Sequence, residues 1–202
     1  MKQLLIDHIP FHAAKLSLVE NKESNGTLTL IGKLQEAEQK NGNGRVYPRE
    51  VLEREVKKYI ESSIKTKTSL GELDHPESSV VNLSNTSHLI TEVWWEGNNL
   101  MGKLQLLPTP SGNIAKALVN NGIPLGISSR GMGSVKQLGE TVEVQDDFEL
   151  LCWDLVSVPS TPQAYMTLSE SKQHIVNNYN RINELITEII CSQTGVCPFK
   201  TC

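Results

Sequence analysis

The sequence predicts a mainly β fold with helices around the strands (α+β), a small barrel or a twisted sheet. Three observations carry this. Many short segments alternate apolar and polar residues with period two, two helical segments fall between them, and strands and helices do not alternate as a doubly wound sheet requires. At 202 residues the chain is long enough for one well-buried core plus a tail, so one domain over 1–166 and an appendage over 167–202 are expected.

In chain order, an apolar start at Leu4-Leu5-Ile6 gives way to the polar run Glu20 to Gly26. Thr27 to Gly32 then alternates as a strand packed on one face. After the polar loop Glu38 to Gly44, Pro48 suits a first helical position, and Leu52, Val56, Tyr59 and Ile60 recur at helical spacing to about Ser63. Ser87 to Glu96 and Asn99 to Leu107 form an antiparallel pair with Gly97-Asn98 in the turn. Ser111-Gly112-Asn113 can cap a short helix that ends at Asn120-Asn121-Gly122. A short strand, Ile123 to Ile127, delivers Ser128 and Ser129 at its end, and Val142 to Gln145 and Phe148 to Val158 give the last strong strand signals. Pro159 to Pro162 closes the domain, and the tail offers one weakly amphipathic helix through Ile175, Ile182, Leu185 and Ile189.

Composition narrows the function. A formal net charge of -4, from 19 basic and 23 acidic residues, gives no reason to expect nucleic acid or an anionic membrane as partner. There is no apolar run of signal-peptide or membrane-spanning length, so a cytoplasm-like compartment is expected. Cys152 lies in an apolar run and reads as a small core residue. Cys191, Cys197 and Cys202 crowd the terminus with no nearby histidine and make a poor zinc site, so neither metal nor cofactor is expected.

The chemistry-bearing residues are a histidine in Gly71-Glu72-Leu73-Asp74-His75-Pro76 and a serine pair in Gly126-Ile127-Ser128-Ser129-Arg130-Gly131. A base and a hydroxyl nucleophile are the first requirements of acyl transfer. Alternation sends the Ser128 and Ser129 hydroxyls in opposite directions, and either can be the nucleophile on this pattern. Gly131 and Gly133 allow backbone amides near Arg130 to turn inward as an oxyanion hole. The third member must be a buried acceptor. Asp154, within Leu150 to Val156, stands out because an unpaired carboxylate there would be costly, and Glu72 is the rival. Asp74, next to His75, points to the other face of an extended segment, and His88 is a second possible ring that begins a strand whose alternation could equally leave it at the rim.

At these residues the chain resembles the prohead proteases of large contractile-tailed bacteriophages, which are similar to the herpesvirus assemblins. The likeness spans about residues 27–166 and rests on four segments: Asn43-Gly44-Arg45-Val46-Tyr47-Pro48, Gly71 to Pro76, the Trp94-Trp95-x-Gly97-Asn98 turn, and Gly126 to Gly131 with Gly133-Ser134. The resemblance implies a closed antiparallel barrel of about seven strands ringed by helices. It implies His75 as general base, Ser128 as nucleophile and Asp154 as the better third residue, a position held by a second histidine in the herpesvirus enzymes. It also implies oxyanion stabilisation by the backbone around Ser129, Arg130 and Gly131, with the arginine bracing that loop.

The implied substrates are the scaffold or core proteins and the major capsid protein inside the assembling prohead, in the host cell cytoplasm. They are cut after glutamate in motifs with an apolar residue two positions earlier. Leu168-Ser169-Glu170 fits that motif where the domain gives way to its tail, so self-cleavage after Glu170 is expected, which would make the full chain a precursor. The competing reading is a catalytically inert structural component of the prohead core. A generic esterase is disfavoured because no Gly-x-Ser-x-Gly elbow is present.

Overall fold

A computed structural model of the protein describes residues 2–6, 28–76, 78–157, 160–161 and 163–168. Glu170 and the expected tail helix lie outside the described residues.

The strands are β1 (Gln3–Ile6), β2 (Thr29–Glu36), β3 (Arg45–Val46), β4 (Leu70–Glu72), β5 (Thr86–Glu96), β6 (Asn99–Leu106), β7 (Gly126–Gly133), β8 (Val135–Leu138), β9 (Thr141–Val144), β10 (Glu149–Val156) and β11 (Met166–Leu168). Among the described residues two α-helices join them, α1 (Arg49–Tyr59), prolonged by a wider turn over Ile60–Ile64, and α2 (Pro110–Asn120). The fold is therefore mainly β with few helices, as the alternation pattern implies.

The expected closed antiparallel barrel is corrected. One sheet runs β1-β7-β10, a second β11-β2-β6-β5-β4, and a third, small one β3-β9-β8. Among the described residues the first two meet at single bridges, Leu73 with Leu155, which is parallel, and Gly126 with Tyr165. The curved wall is thus open at two seams. Backbone geometry explains both. Asp74 has φ +71° and turns the chain away directly after Leu73, and Gln163 has φ +62° just before Tyr165. Each segment leaves its neighbour before a ladder can form.

The long hairpin forms as alternation dictates: β5 pairs with β6 from His88–Leu106 to Glu96–Asn99, and Gly97 supplies the positive φ of its turn. Helix α1 starts one residue later than Pro48 suggests, with Pro48 as its N-cap. It buries Val51, Leu52, Val56 and Tyr59 on one face, and the Tyr59 ring meets Trp153 edge to face with centroids 4.9 Å apart. Each such apolar side chain contributes on the order of 1.5–3 kcal/mol by leaving water. Helix α2 is capped by Thr109, whose hydroxyl accepts from the Gly112 N–H at 3.1 Å, rather than by Ser111.

Two boundaries shift. Ser128 and Ser129 lie inside β7, not at the end of a strand. Thr167 and Leu168, expected in the appendage, belong to β11 and pair with Ile31 and Leu30 of β2. Gly32 makes that seat possible, since a Cβ there would lie 2.3 Å from the Tyr165 carbonyl oxygen.

Candidate active site

The central pair of strands sorts the candidates by face. In the β7–β10 register Ser128 stands opposite Asp154, and Ser129 opposite Trp153. Directly opposed residues share a face of the sheet. Trp153 belongs to the apolar core with Tyr59, so Ser129 is on the core side and Ser128 on the side of Asp154. Arg130, two residues on from Ser128, shares that polar face.

His75 reaches this face from the neighbouring seam. After β4, the Leu73–Leu155 bridge and the Asp74 N–H to Leu155 carbonyl bond of 2.7 Å hold the chain against β10. The left-handed turn at Asp74, a conformation aspartate tolerates, then folds His75 back. Its Nδ1 lies 2.8 Å from Asp154 Oδ2, and both side chains are fully buried. Asp74 accepts from the His75 backbone N–H at 3.0 Å.

Asp154 is densely satisfied. Besides His75, its Oδ2 lies 3.0 Å from Arg130 Nε. Its Oδ1 accepts from the Glu72 backbone N–H at 2.9 Å, Arg130 Nη2 at 3.2 Å and the Cys152 thiol at 3.5 Å. Burial pushes its pKa up, but His75, the Arg130 charge and the Glu72 N–H outweigh it and hold the carboxyl below its ordinary value. Asp154 therefore stays a carboxylate and fixes the ring so that Nδ1 carries the proton, leaving Nε2 to accept another.

Glu72, the rival orienting residue, is engaged on one oxygen by other partners. Its Oε1 accepts from Arg130 Nη2 at 2.8 Å and from the Asn82 backbone N–H at 3.0 Å. Arg130 thus lies between two carboxylates, and its Nη1 also donates to the Ser78 carbonyl at 2.8 Å. Arg45 donates to the Ile6 carbonyl at 2.9 Å, and Lys103 pairs with Glu92 at 3.3 Å.

The segment expected to supply the oxyanion donors is strand rather than loop. Ser129, Arg130 and Gly131 are strand, in register with Trp153, Cys152 and Leu150 of β10, and Arg130 and Gly131 pair on their other side with Ile6 and Leu5 of β1. Backbone amides in a strand flanked on both sides are committed to ladders. The register shift between Leu150 and Cys152 is the one irregularity in this ladder, and Glu55 of α1 accepts the Leu150 N–H there at 3.3 Å.

Two contributors escape sequence reasoning. Ser160 places its hydroxyl 3.1 Å from that of Ser128, and both residues are buried. His88, far from a rim position, is fully buried: its ring crosses Gly71, where a Cβ would lie 2.4 Å from it, and its Nε2 donates to the Trp153 carbonyl at 3.0 Å while Nδ1 accepts from Ser87 Oγ at 2.8 Å. Burial lowers its pKa to about 4, so it is a neutral tie from β5 to the residue preceding Asp154. No signal marks Ser160 beyond its place between two prolines, whereas His88 sits in a strand pattern that conceals a buried polar role.

Among the described residues no group of three or more His, Cys, Asp or Glu is arranged to hold a metal, and no helix is long and apolar enough to cross a membrane.

Comparison with known proteins gives the chain's relatives. A family model described as prohead core protein serine protease matches residues 2–174. The prohead core protein protease of Enterobacteria phage T4 is 36% identical over 148 residues, covering 71% of this chain and 69% of that protein. The solved structure of the bacteriophage T4 capsid assembly protease superposes with a TM-score of 0.67 at 31% identity, over 77% of this chain and 97% of that one.

Proposed function

Because the chain belongs to the prohead core protein serine protease family, we propose that it is a serine endopeptidase of prohead maturation, with Ser128 as nucleophile, His75 as general base and Asp154 as the residue that orients the base. The observation that carries this reading is the 2.8 Å contact of His75 Nδ1 with Asp154, on a carboxylate that stands directly opposite Ser128.

In the reaction, Ser128 Oγ attacks the scissile carbonyl carbon while His75 Nε2 takes its proton. The tetrahedral intermediate collapses, the C–N bond breaks, and His75 returns the proton to the leaving amine. Water then attacks the acyl-enzyme with His75 again as base, releasing the acid and restoring Ser128. The Asp154 carboxylate stabilises the imidazolium at each step. Arg130 and Glu72 are positioning residues here: the guanidinium holds Asp154 and is itself held by Glu72.

The substrates are the scaffold or core proteins and the major capsid protein inside the prohead, cut after glutamate with an apolar residue two positions earlier. The chain itself is cut after Glu170, where it divides into Met1–Glu170 and Ser171–Cys202. Its full-length form is a restrained precursor. Ser128 and the His75 side chain are buried in it, so a substrate reaches them less readily than in the shortened product. The same burial is what an inert core component would show, and hydrolysis separates the two. Incubation with a peptide containing Leu-Ser-Glu should give cleavage after the glutamate with wild-type chain and none with Ser128→Ala. Equal cleavage by both would overturn the assignment.

A further inference from the structure

We infer that the Ser160 hydroxyl is a further catalytic group, a side-chain donor to the oxyanion that forms when Ser128 attacks. This rests on the reading of Ser128 as the nucleophile.

Ser160 touches the reacting atom and is held where it does so. Its Oγ lies 3.1 Å from Ser128 Oγ, and the two residues are 1% and 0% exposed. The Ser160 carbonyl accepts from the Gly42 N–H at 3.1 Å, and the adjoining Thr161 carbonyl accepts from the Ala164 N–H at 3.1 Å. The Ala164 carbonyl in turn accepts from the Ile127 N–H at 2.9 Å, which fixes this segment on β7 at the residue before the nucleophile. Gly42 itself belongs to a closed turn. The Gly44 N–H donates to the Asn41 carbonyl at 2.9 Å, and Asn41 Oδ1 accepts from the Asn43 and Arg45 N–H groups at 3.0 Å each. The Asn43-Gly44-Arg45 motif, to which the triad gives no role, thus belongs to the turn that braces Ser160.

Following the protons gives the direction of this hydrogen bond during the reaction. A serine hydroxyl carries one proton and two acceptor lone pairs. In the attack the Ser128 proton goes to His75, so the proton left in the Ser128–Ser160 contact is the one on Ser160. As the bond from Ser128 Oγ to the scissile carbon forms, the carbonyl π pair moves onto the carbonyl oxygen. That oxygen and Ser128 Oγ are then two bonds apart on one carbon, and rotation of the Ser160 O–H carries it from one to the other. Oxyanion donors act from about 2.7–3.1 Å. A hydrogen bond to a charged acceptor is roughly twice as strong as one between neutral groups. The contact therefore strengthens in the transition state, which is the condition for raising kcat rather than lowering KM. Arg130 and Gly131 lie in a strand paired on both sides, whereas Ser160 lies outside the strands and its hydroxyl is committed to no ladder.

The test compares full-length Ser160→Ala and Ser160→Thr with wild-type chain on two probes. One is a peptide containing Leu-Ser-Glu, and the other is the matching peptidyl trifluoromethyl ketone, whose carbonyl carbon bonds to Ser128 Oγ and leaves an oxyanion on the adduct. Melting temperatures are measured alongside, and all assays run below them. The inference predicts that Ser160→Ala lowers kcat by about 100- to 1,000-fold, the cost of one oxyanion donor, with KM within about threefold of wild type. Fluorine NMR of the ketone adduct should find the oxyanion taking up its proton at a pH about 2–3 higher in Ser160→Ala, a readout that a packing or serine-orienting role leaves where it is. Ser160→Thr keeps the hydroxyl and should stay within about tenfold of wild type. A folded Ser160→Ala chain whose adduct ionises at the wild-type pH, or whose kcat is within about threefold of wild type, would overturn the inference while the protease reading stands. If wild-type chain neither cuts the peptide nor bonds the ketone at Ser128, the nucleophile assignment fails and the role of Ser160 fails with it.

Discussion

Replacing Asp154 by asparagine tests the geometry most sharply, because the side chain keeps its shape and loses only its charge and one acceptor. In the native site His75 Nδ1 lies 2.8 Å from Oδ2, which also faces Arg130 Nε at 3.0 Å. With two cations or N–H donors around that position, the asparagine turns its oxygen to one and its NH2 to the other. When the NH2 meets His75, the ring must present an unprotonated Nδ1 and carry its proton on Nε2, the atom that has to accept the serine proton. The same exchange in a Ser-His-Asp enzyme lowers turnover about 10,000-fold. A loss of roughly 1,000- to 10,000-fold is expected here, or about 4–5.5 kcal/mol of transition-state stabilisation. The variant also leaves buried Arg130 with Glu72 as its remaining carboxylate. Breaking a buried pair costs about 3–5 kcal/mol, and the surviving Glu72 contact places the expected loss near the lower end, a Tm lower by about 5–10 °C. Steady-state hydrolysis of a Leu-Ser-Glu peptide, run well below the variant's melting temperature, separates the two effects. A folded Asp154→Asn chain within tenfold of wild type would refute the role of Asp154.

Ser128→Ala is expected to abolish peptide hydrolysis, a loss of at least about 10,000-fold, while Ser129→Ala, whose side chain faces the core opposite Trp153, stays within about tenfold of wild type in the same assay. His88 gives a pH signature by denaturant titration. Its folded pKa of about 4 is below the ordinary histidine value of 6.5, so the unfolded chain binds a proton first, and stability is full above pH 6.5 and falls as the pH drops toward 4. The His88 share of that fall is roughly 3 kcal/mol, and His88→Gln should remove it from the pH profile. Gly71→Ala is expected to lower Tm by about 5 °C or more in a thermal melt, because its Cβ would lie 2.1 Å from the Trp153 carbonyl oxygen and 2.4 Å from the His88 ring.

Local pattern reads well where local physics decides. The β5–β6 hairpin follows from alternation around Gly97, and α1 from apolar spacing after Pro48. Asp154 is legible because a carboxylate inside an apolar strand needs a donor, and the structure supplies five contacts to it. What depends on register is not legible. The sequence leaves Ser128 and Ser129 equivalent, and only the pairing of β7 with β10 puts one beside Asp154 and the other beside Trp153. The oxyanion segment reads as a glycine-rich loop because nothing local announces that Leu5 and Ile6, more than a hundred residues earlier, will pair with Gly131 and Arg130. Seams escape for the same reason. The left-handed turns at Asp74 and Gln163 open the barrel, and neither residue type demands that conformation. Ser160 and the tie from His88 to Trp153 are products of tertiary approach alone.

The most direct test of the central claim is covalent capture with a fluorophosphonate, which reacts with a serine oxygen only when a base has activated it. Digestion and mass mapping of the labelled wild-type chain should place the adduct on Ser128, and His75→Ala should prevent it. An adduct on Ser129, or a chain that cleaves peptide yet keeps Ser128 unmodified, would contradict the assignment of Ser128, His75 and Asp154 as the catalytic unit.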